Sequence, residues 1–508
     1  MDNAQKKYDV IVIGSGIGGL VSALVLAKNG KKVCVLEKNQ QIGGALQVFS
    51  RDKRIFDTGV HYLGGLDVGE NLYQIFKYLD ILNDLNLVRL DDDFDIIRMP
   101  NGKQLKIGQG YDKFESFLVE EFPEEVEAIQ KFISKVKEIC TCFPLYNLRL
   151  NGEKTYYNYG EILTESAWEF VSNLTTNKEL IAAFLGNAYL YAGDKKRTPM
   201  YVVALILNSY IKGSYRIADG GAQLVKALVK QLRANGVDLF KRKEVIEGMK
   251  SDDGLLSSVR CSDGTSYVAD HFISNLHPGK TIEVIGEKHF LPATTKRIKG
   301  LKNTVGSFVV SIALKENSFP YMNHNYYDFF KEEVFDTADY NLEKWPEVIF
   351  SCTSVSSKQT HYADSFSAMA YLSVDEFEKW TDSSNTVVHP VQRGSDYEAL
   401  KSEFEQRLLN RLFERFPNLE NAILSVHSST PLTFRDYLGT PEGELYGIEK
   451  DFNNAALTSI NPRTKVKNLY LTGQSIVFHG ILGSTIGALV TSFNLVEGDK
   501  ILREINRI

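Results

Sequence analysis

Four residues near the amino end of the chain have the types and spacing needed to hold a phosphorylated nucleotide. Gly14, Gly16 and Gly19 follow the apolar run Val10–Ile13, and Glu37 comes 18 residues after the last of these glycines. Glycine permits a tight turn and a close approach of backbone to a pyrophosphate, whose charge is favoured by the N–H groups that begin the next helix. An acid at this distance can accept hydrogen bonds from a ribose. The pattern therefore predicts a dinucleotide site.

A strand–turn–helix–strand unit is required to position these residues. The run Val10–Ile13 predicts a buried strand, a helical pattern follows and closes at Asn29-Gly30, and Val33–Leu36 predicts a second buried strand. In such a unit the positive end of the helix lies against the phosphates. The glycine motif alone does not distinguish FAD from NAD.

The next segment of the chain separates these two cofactors. Gly43-Gly44 follows soon after the acid, and Phe56–Gly65 reads Phe-Asp-Thr-Gly-Val-His-Tyr-Leu-Gly-Gly. Here the chain resembles the FAD-dependent phytoene desaturase, carotenoid isomerase and retinol saturase family of the amine oxidase-like flavoprotein superfamily, most of all its retinol saturase branch. Many of these relatives have Arg after the Gly-Gly pair, where this chain has Ala45, so the side chain that supports the flavin at this place is left open.

The carboxyl end of the chain carries a second part of the same pattern. A strand is predicted to end at Gly473-Gln474, and a helix to begin near Gly483. In the resembled superfamily this helix N-terminus points at the flavin and stabilises negative charge on the reduced ring. Retinol saturases resemble this chain in having Gln where most members have Asp. We expect Gln474 to hydrogen-bond the flavin phosphate or ribityl chain; an exposed loop amide is the alternative.

The motifs and the resemblance together imply a set of FAD-binding residues, in which Val245 meets the adenine through its backbone. The set is Gly14, Ser15, Gly16, Gly18, Gly19, Glu37, Lys38, Gly43, Gly44, Ala45, Gly59, Val60, His61, Val245, Gly473, Gln474, Leu482, Gly483, Ser484 and Thr485.

The fold class implied by these segments is α/β, with a Rossmann-type FAD-binding domain and a discontinuous, mixed α+β substrate domain. The FAD-binding domain is predicted to consist of residues 1–85, 214–290 and 455–508, and the substrate domain of residues 86–213 and 291–454.

Apolar spacing predicts the elements of the substrate domain. Helices are expected over Phe114–Cys140, Thr164–Leu185 and Tyr397–Phe416, and strands over Ser307–Leu314 and Ala368–Leu372.

Two segments bear on the kind of substrate. Phe319–Phe330 contains six aromatic residues in twelve, and Tyr201–Leu207 is an uninterrupted apolar run. An aromatic wall suits a flat, apolar, conjugated molecule. Ordinary core packing explains the aromatic segment equally well, and the apolar run is either a core helix or the wall of an apolar tunnel. Together the two segments favour a lipid-like substrate.

The resemblance implies reduction of a carbon–carbon double bond in a retinoid- or carotenoid-like polyene. Such a reaction needs a hydride from reduced flavin and a proton from an acid. The candidate catalytic residues are His61 and Tyr62, in the segment expected beside the flavin, and His479, just before the last Gly-rich helix. Histidine is the natural donor because its proton is available near pH 7. A structural hydrogen bond to backbone is the alternative for each histidine.

Other functions stay open at this point. The superfamily contains redox-neutral polyene isomerases and amine oxidases, and non-catalytic lipid-binding proteins resemble it. The intact glycine motif and Glu37 argue against the last of these. Because only one such motif is present, electrons would come from transient NAD(P)H, another protein or a quinone.

Composition limits the partners and the compartment. The 508 residues carry a net charge of −6, with 24% charged and 43% hydrophobic residues, so nucleic acid is not expected as a partner. The five cysteines form no Cys-x-x-Cys pair, so neither a metal site nor a disulfide framework is predicted. No apolar run is long enough to span a membrane. We expect a cytoplasmic chain, with docking at a membrane surface and the oligomeric state left open.

Overall fold

The computed structural model describes residues 6–149, 160–251, 254–358 and 361–507. The strands are β1 (Lys7–Ile13), β2 (Val33–Leu36), β3 (Val48–Arg51), β4 (Arg54–Asp57), β5 (Leu87–Arg89), β6 (Asp93–Arg98), β7 (Gln104–Gly108), β8 (Tyr215–Ile217), β9 (Asp238–Phe240), β10 (Val245–Lys250), β11 (Leu256–Cys261), β12 (Ser266–Ser274), β13 (Ser307–Leu314), β14 (Asn325–Phe329), β15 (Val348–Thr353), β16 (Ser365–Tyr371), β17 (Ile423–Ser429) and β18 (Leu469–Leu471). The helices are α1 (Ile17–Lys28), α2 (Asn71–Tyr78), α3 (Tyr111–Glu121), α4 (Val126–Thr141), α5 (Ala167–Leu174), α6 (Lys178–Leu185), α7 (Met200–Ile211), α8 (Ala222–Ala234), α9 (Pro278–Ile285), α10 (Pro292–Lys299), α11 (Ser395–Arg415), α12 (Leu419–Ala422), α13 (Pro431–Leu438), α14 (Ala455–Thr458), α15 (Gly480–Ser492) and α16 (Gly498–Arg507).

The first sheet has seven strands in the order β10-β11-β12-β1-β2-β9, with β18 also paired to β12. Four of its strand pairs are parallel: β1 with β12, β1 with β2, β2 with β9, and β12 with β18. Helix α1 connects β1 to β2, as the glycine motif predicts, and every residue of β2 is buried. The predicted Rossmann-type α/β unit is therefore confirmed. Parallel strands of this kind end at a common edge, where such folds bind nucleotides.

The second sheet has the order β17-β13-β16-β15-β14-β6-β7, and all its pairs are antiparallel except β14 with β6. It combines strands from three distant parts of the chain, as the prediction of a mixed, discontinuous substrate domain requires. The domain boundaries themselves stay a prediction. Strands β13, β15 and β16 are buried at every residue, because this sheet is covered on both faces.

Two predicted helices are interrupted in the structure. The segment Phe114–Cys140 contains α3 and α4, separated at Pro123, which lacks the N–H that a continuous helix needs. The segment Thr164–Leu185 contains α5 and α6. Between them the Asn177 side chain accepts hydrogen bonds from the first N–H groups of α6 and so begins a new helix. The long helix expected over Tyr397–Phe416 is confirmed as α11.

Helix α7 contains the apolar run Tyr201–Leu207 and lies inside the molecule, with ten of its twelve residues buried. Its neighbours include α4 and α5. The run is therefore part of a core helix, and two of its residues, Leu205 and Ile206, also line an apolar cavity described below. No helix within the described ranges is both long and apolar enough to cross a membrane.

Candidate functional site

A cleft opens at the carboxyl ends of the parallel strands and is lined by the glycine motif. Gly14 follows β1 with a φ of +92°, a backbone conformation that side chains rarely adopt. A Cβ on Gly16 would lie 2.7 Å from Asn275 Nδ2, and one on Gly18 would lie 2.6 Å from Asn275 Oδ1 and 3.0 Å from the Gly473 backbone. Gly19 lies behind the cleft, where a Cβ would clash with the Gly14 carbonyl. Backbone conformation at Gly14, and close packing at Gly16, Gly18 and Gly19, thus favour glycine.

The N-terminus of α1 faces this cleft without a side-chain cap. Its first N–H groups are therefore free for an anion, which the helix dipole favours. Lys38, Lys243 and Lys280 also line the cleft, where Lys243 is paired with Asp263 and Lys280 with Glu283. This arrangement suits a pyrophosphate.

Glu37 directly follows β2 and lines the cleft. One oxygen accepts from the Ser15 N–H at 3.0 Å and the Ser15 hydroxyl at 2.5 Å, and the other accepts from the Asn39 N–H at 2.8 Å. The acid is thereby fixed where the motif predicts a ribose-binding group. Val245, expected near the adenine, also lines the cleft.

Several buried polar atoms along the cleft have no hydrogen-bond partner within the described part of the chain. They are Thr440 Oγ1, Glu444 Oε1 and Thr472 Oγ1. Burying a polar atom without a partner costs about 1–3 kcal/mol, so such atoms indicate a ligand rich in hydrogen-bonding groups. A dinucleotide fits this description. Burial raises the pKa of Glu444 to about 7.

Helix α15 begins at Gly480, three residues earlier than the sequence predicts, with His479 as its N-cap. Because the helix begins earlier, the residues of its first turns divide between the cleft and a neighbouring cavity. Ser484 lines the cleft, whereas Leu482 and Gly483 line the adjoining cavity, and Thr485 lies buried behind both.

Gln474 is half-buried at the rim of the same cleft. With its amide nitrogen facing Leu445, the side chain donates to the Leu445 carbonyl at 3.1 Å and accepts from the Gly447 N–H at 3.3 Å. It therefore ties the loop before α14 to the end of β18. Its expected hydrogen bond to the flavin stays a prediction.

A second cavity, called here the apolar cavity, adjoins the cleft. The empty space between its lining atoms is about 1280 Å³, including the part that opens to solvent. Its walls include Leu205 and Ile206 of α7, together with Phe350, Phe434 and Phe478. Within the described residues, no Asp, Glu, Lys or Arg lines it. Such walls suit an apolar or conjugated molecule.

The cleft and the apolar cavity share one boundary. Eight residues line both: Ala45, Gly59, Val60, Leu438, Leu445, Tyr446, Gly480 and Ile481. The segment after β4 forms part of this boundary because both its ends are anchored. The Asp57 carboxylate accepts from the Gly221 N–H at 2.6 Å, and Leu63 pairs with Tyr215 at 2.8 and 2.9 Å. A ligand in the apolar cavity would therefore meet the end of a ligand in the cleft.

All three predicted catalytic residues, His61, Tyr62 and His479, line the apolar cavity. Burial, with a contribution from the Arg216 charge, lowers the pKa of His61 to about 4. Burial and the charge of Lys450 lower the pKa of His479 to about 4. Both imidazoles are thus neutral near pH 7.

The Tyr62 hydroxyl lies 2.9 Å from Asp95 Oδ2 and 2.7 Å from the Tyr327 hydroxyl. Its ring packs against Tyr210 in a tilted arrangement with centroids 4.4 Å apart. Asp95 is fully buried. Burial raises the pKa of its carboxyl to about 7, although hydrogen bonds from Asn325 and Tyr62 oppose the shift.

The sequence missed several residues of the site. None of the six aromatics between Phe319 and Phe330 lines the apolar cavity, so the prediction of a wall from that segment is wrong and the core-packing alternative holds. The lining aromatics come from separate elements, for example Tyr189, Phe434 and Phe478. Asn275 could have been found, because it directly follows β12, which is parallel to β1 and ends at the same edge.

Comparison with known proteins finds relatives that are similar to nearly the whole chain. Residues 12–79 match the model of a NAD(P)-binding Rossmann-like domain. The chain is 29% identical to an all-trans-retinol 13,14-reductase of Rattus norvegicus, covering 98% of this chain and 87% of the relative. It is 25% identical to a chloroplastic prolycopene isomerase of Daucus carota, covering 93% of this chain and 77% of the relative.

A solved structure shares the fold across nearly the whole chain. A cofactor-binding redesign of putrescine oxidase superposes with a TM-score of 0.64 at 13% identity, covering 96% of this chain and 98% of that one. At this identity the likeness concerns the fold alone. Together with the near-full-length relatives and the glycine-lined cleft, it leads to one conclusion. The chain is similar over nearly its whole length to a retinol 13,14-reductase and a prolycopene isomerase, and these likenesses support a place in the FAD flavoenzyme superfamily.

Proposed function

We propose that this protein is an FAD-dependent oxidoreductase that acts on a carbon–carbon double bond of an apolar, retinoid- or carotenoid-like polyene. The observation that carries the proposal is the shared boundary between the dinucleotide cleft and an apolar cavity whose described lining residues include no Asp, Glu, Lys or Arg. The relatives named for retinol reduction and prolycopene isomerisation, which match nearly the whole chain, support it.

The residues of the cleft provide a binding site for each part of FAD. The N-terminus of α1 and its glycines would hold the pyrophosphate, Glu37 the ribose, and Val245 the adenine. The N-terminus of α15, which lies at the shared boundary, would face the flavin end. When bound, FAD supplies an electron pair together with one hydrogen.

The apolar cavity would bind and orient the polyene and exclude water from it. Burying apolar surface stabilises a ligand by about 25 cal/mol per Å², so a long polyene gains affinity without a charged anchor. The same walls disfavour an amine substrate, whose cation would lose its hydration without an acidic partner. The amine oxidase alternative is therefore less well supported.

A redox-neutral polyene isomerase is the second candidate function, because a prolycopene isomerase is among the relatives. It would use the same cleft and cavity. The two functions differ in whether the electrons leave with the product. The reduction also needs an electron donor, and NAD(P)H acting transiently is the first reductant to test.

Product analysis tests the proposed function. The protein, reconstituted with FAD and reduced anaerobically, is incubated with all-trans-retinol or with a poly-cis carotene. We expect a product with one double bond fewer, whose absorbance maximum lies at shorter wavelength, in an amount equal to the flavin reoxidised. A geometric isomer formed while the flavin stays reduced would establish the isomerase instead. Failure to bind FAD would refute both.

A further inference from the structure

We infer that Tyr62 and Asp95 form a proton relay for the second hydrogen of the double-bond reduction, with Tyr62 facing the polyene and Asp95 holding the proton behind it. The inference rests on the proposed function and adds to it the source of a proton that FAD does not supply. Tyr62 would be a catalytic residue, and Asp95 would act through it.

Tyr62 lies between the apolar cavity and the second sheet. Tyr62 lines the apolar cavity beside His61 and Tyr210, and its hydroxyl contacts Asp95 on β6 and Tyr327 on β14. Its ring packs against Tyr210 and is stacked with Phe350, with centroids 4.4 and 6.3 Å away. The ring therefore has little freedom, and its hydroxyl stays in contact with the carboxyl group.

The surroundings of Asp95 favour storage and release of one proton. Asp95 Oδ1 accepts from Asn325 Nδ2 at 2.8 Å, and Asn325 Oδ1 accepts from the Arg216 guanidinium at 2.7 Å. Arg216 is 2% exposed, and none of its described partners is a carboxylate. If Asp95 loses its proton, only the Asn325 amide therefore separates the resulting carboxylate from the buried Arg216 cation.

The protonation states agree with this assignment. The titratable and charged groups near Asp95 are Tyr62, Tyr327 and Tyr210, which stay neutral because burial raises their pKa values, and the Arg216 cation. Burial raises the pKa of Asp95 to about 7, so near neutral pH it is partly protonated. General acid catalysis near neutral pH favours an acid with a pKa in this range.

The step balances in atoms and charge. The π bond of the substrate breaks and two C–H bonds form, one with the electron pair and hydrogen supplied by the reduced cofactor. The O–H bond of Tyr62 breaks as its proton forms the second C–H bond, and Asp95 returns a proton to the Tyr62 oxygen. Asp95 ends as a carboxylate opposite Arg216, and solvent restores its proton before the next cycle.

The first test needs neither cofactor nor turnover. Infrared spectra of the FAD-free protein, taken as a function of pH, report the C=O stretch of protonated carboxyls. Asp57 and Glu444 also have pKa values raised to about 7 by burial, so the difference between wild type and Asp95→Asn isolates Asp95. We expect a band that disappears as pH rises through about 7 and that shifts in Tyr62→Phe. Its absence would mean that Asp95 is ionised and would overturn the relay.

The second test measures turnover in the FAD-loaded protein. General acid catalysis is worth on the order of 10²–10⁴-fold, so we expect Tyr62→Phe and Asp95→Asn each to slow polyene reduction at least 100-fold. The wild-type rate should fall as pH rises through about 7, and Asp95→Asn should lose this dependence. FAD content should stay at the wild-type level in both variants.

Tyr210→Phe is the matched control, since it removes a neighbouring phenol from the same cavity. It should keep the pH profile even if its KM changes. If wild type reduces polyene, and Asp95→Asn and Tyr62→Phe keep its rate and pH profile, the relay is refuted but the proposed function is not. A wild type that reduces no polyene would refute the proposed function. If Asp95→Asn does not fold, Tyr62→Phe gives the same decision.

Discussion

The cleft and the apolar cavity meet along a shared boundary but are built in different ways. The cleft is formed largely by backbone, in glycine turns, strand ends and helix N-termini. A Cβ on Gly18, for example, would lie only 3.0 Å from the Gly473 backbone. The cavity is formed by side chains from separate elements, such as Ile206 of α7, Phe350 of β15 and Phe434 of α13. Backbone geometry constrains sequence strictly, whereas an apolar wall tolerates many side chains of similar volume. The difference explains why one site has a sequence motif and the other has none.

The largest effect should come from a Cβ in the cleft. Gly18→Ala places a methyl group 2.6 Å from Asn275 Oδ1, and overpacking of this kind costs about 1–3 kcal/mol or more. We expect FAD to bind roughly 10- to 100-fold more weakly, measured by flavin fluorescence during titration of the FAD-free protein.

Gly487→Ala is the control for this change. It lies on α15, where the nearest atom to a new Cβ is the Gly473 carbonyl at 3.7 Å, an ordinary contact. FAD affinity should stay within twofold of wild type. Equal loss of FAD affinity in both variants would show that the close packing at Gly18 is not what FAD binding requires.

The histidines at the apolar cavity should make stability depend on pH. The pKa of His479 is lowered to about 4 from 6.5, so the folded state stays unprotonated where the unfolded chain binds a proton. The corresponding stability, up to roughly 3 kcal/mol, is present above pH 6.5 and is lost as pH falls through about 4. His479→Gln should therefore flatten the decline in the free energy of unfolding between pH 6.5 and 4, measured by denaturant titration.

The exposed His389 provides the comparison for this experiment. His389→Gln should leave the slope of stability against pH as it is in wild type. An unchanged slope in His479→Gln would mean that the buried imidazole is protonated in the folded protein.

A smaller effect is expected from filling the apolar cavity. Ile206→Trp adds volume at its wall without touching the cleft. Polyene KM should rise roughly tenfold, about 1.4 kcal/mol, with FAD affinity unchanged. Ile246→Trp, at an exposed position on β10, should alter neither quantity. A parallel loss of FAD and polyene binding in Ile206→Trp would show that the two sites are not separable.

The same contrast explains what the sequence could predict. The unit from β1 to Glu37 was predictable because the turn, the helix start and the acid lie within one short segment. The proposed proton relay was not, since pairing of β6 with β14 brings Asp95 and Tyr327 together, and Tyr62 comes from the separate segment after β4. The aromatic segment Phe319–Phe330 misled because aromatic content does not indicate which side of a sheet faces a cavity.

The most direct test of the account is a single anaerobic turnover of the FAD-loaded, reduced protein with all-trans-retinol or a poly-cis carotene, followed by absorbance. The account predicts that flavin absorbance returns as the polyene band moves to shorter wavelength, with one double bond lost per flavin reoxidised. Reduced flavin that persists beside an unchanged polyene, with FAD and polyene both bound, would contradict it.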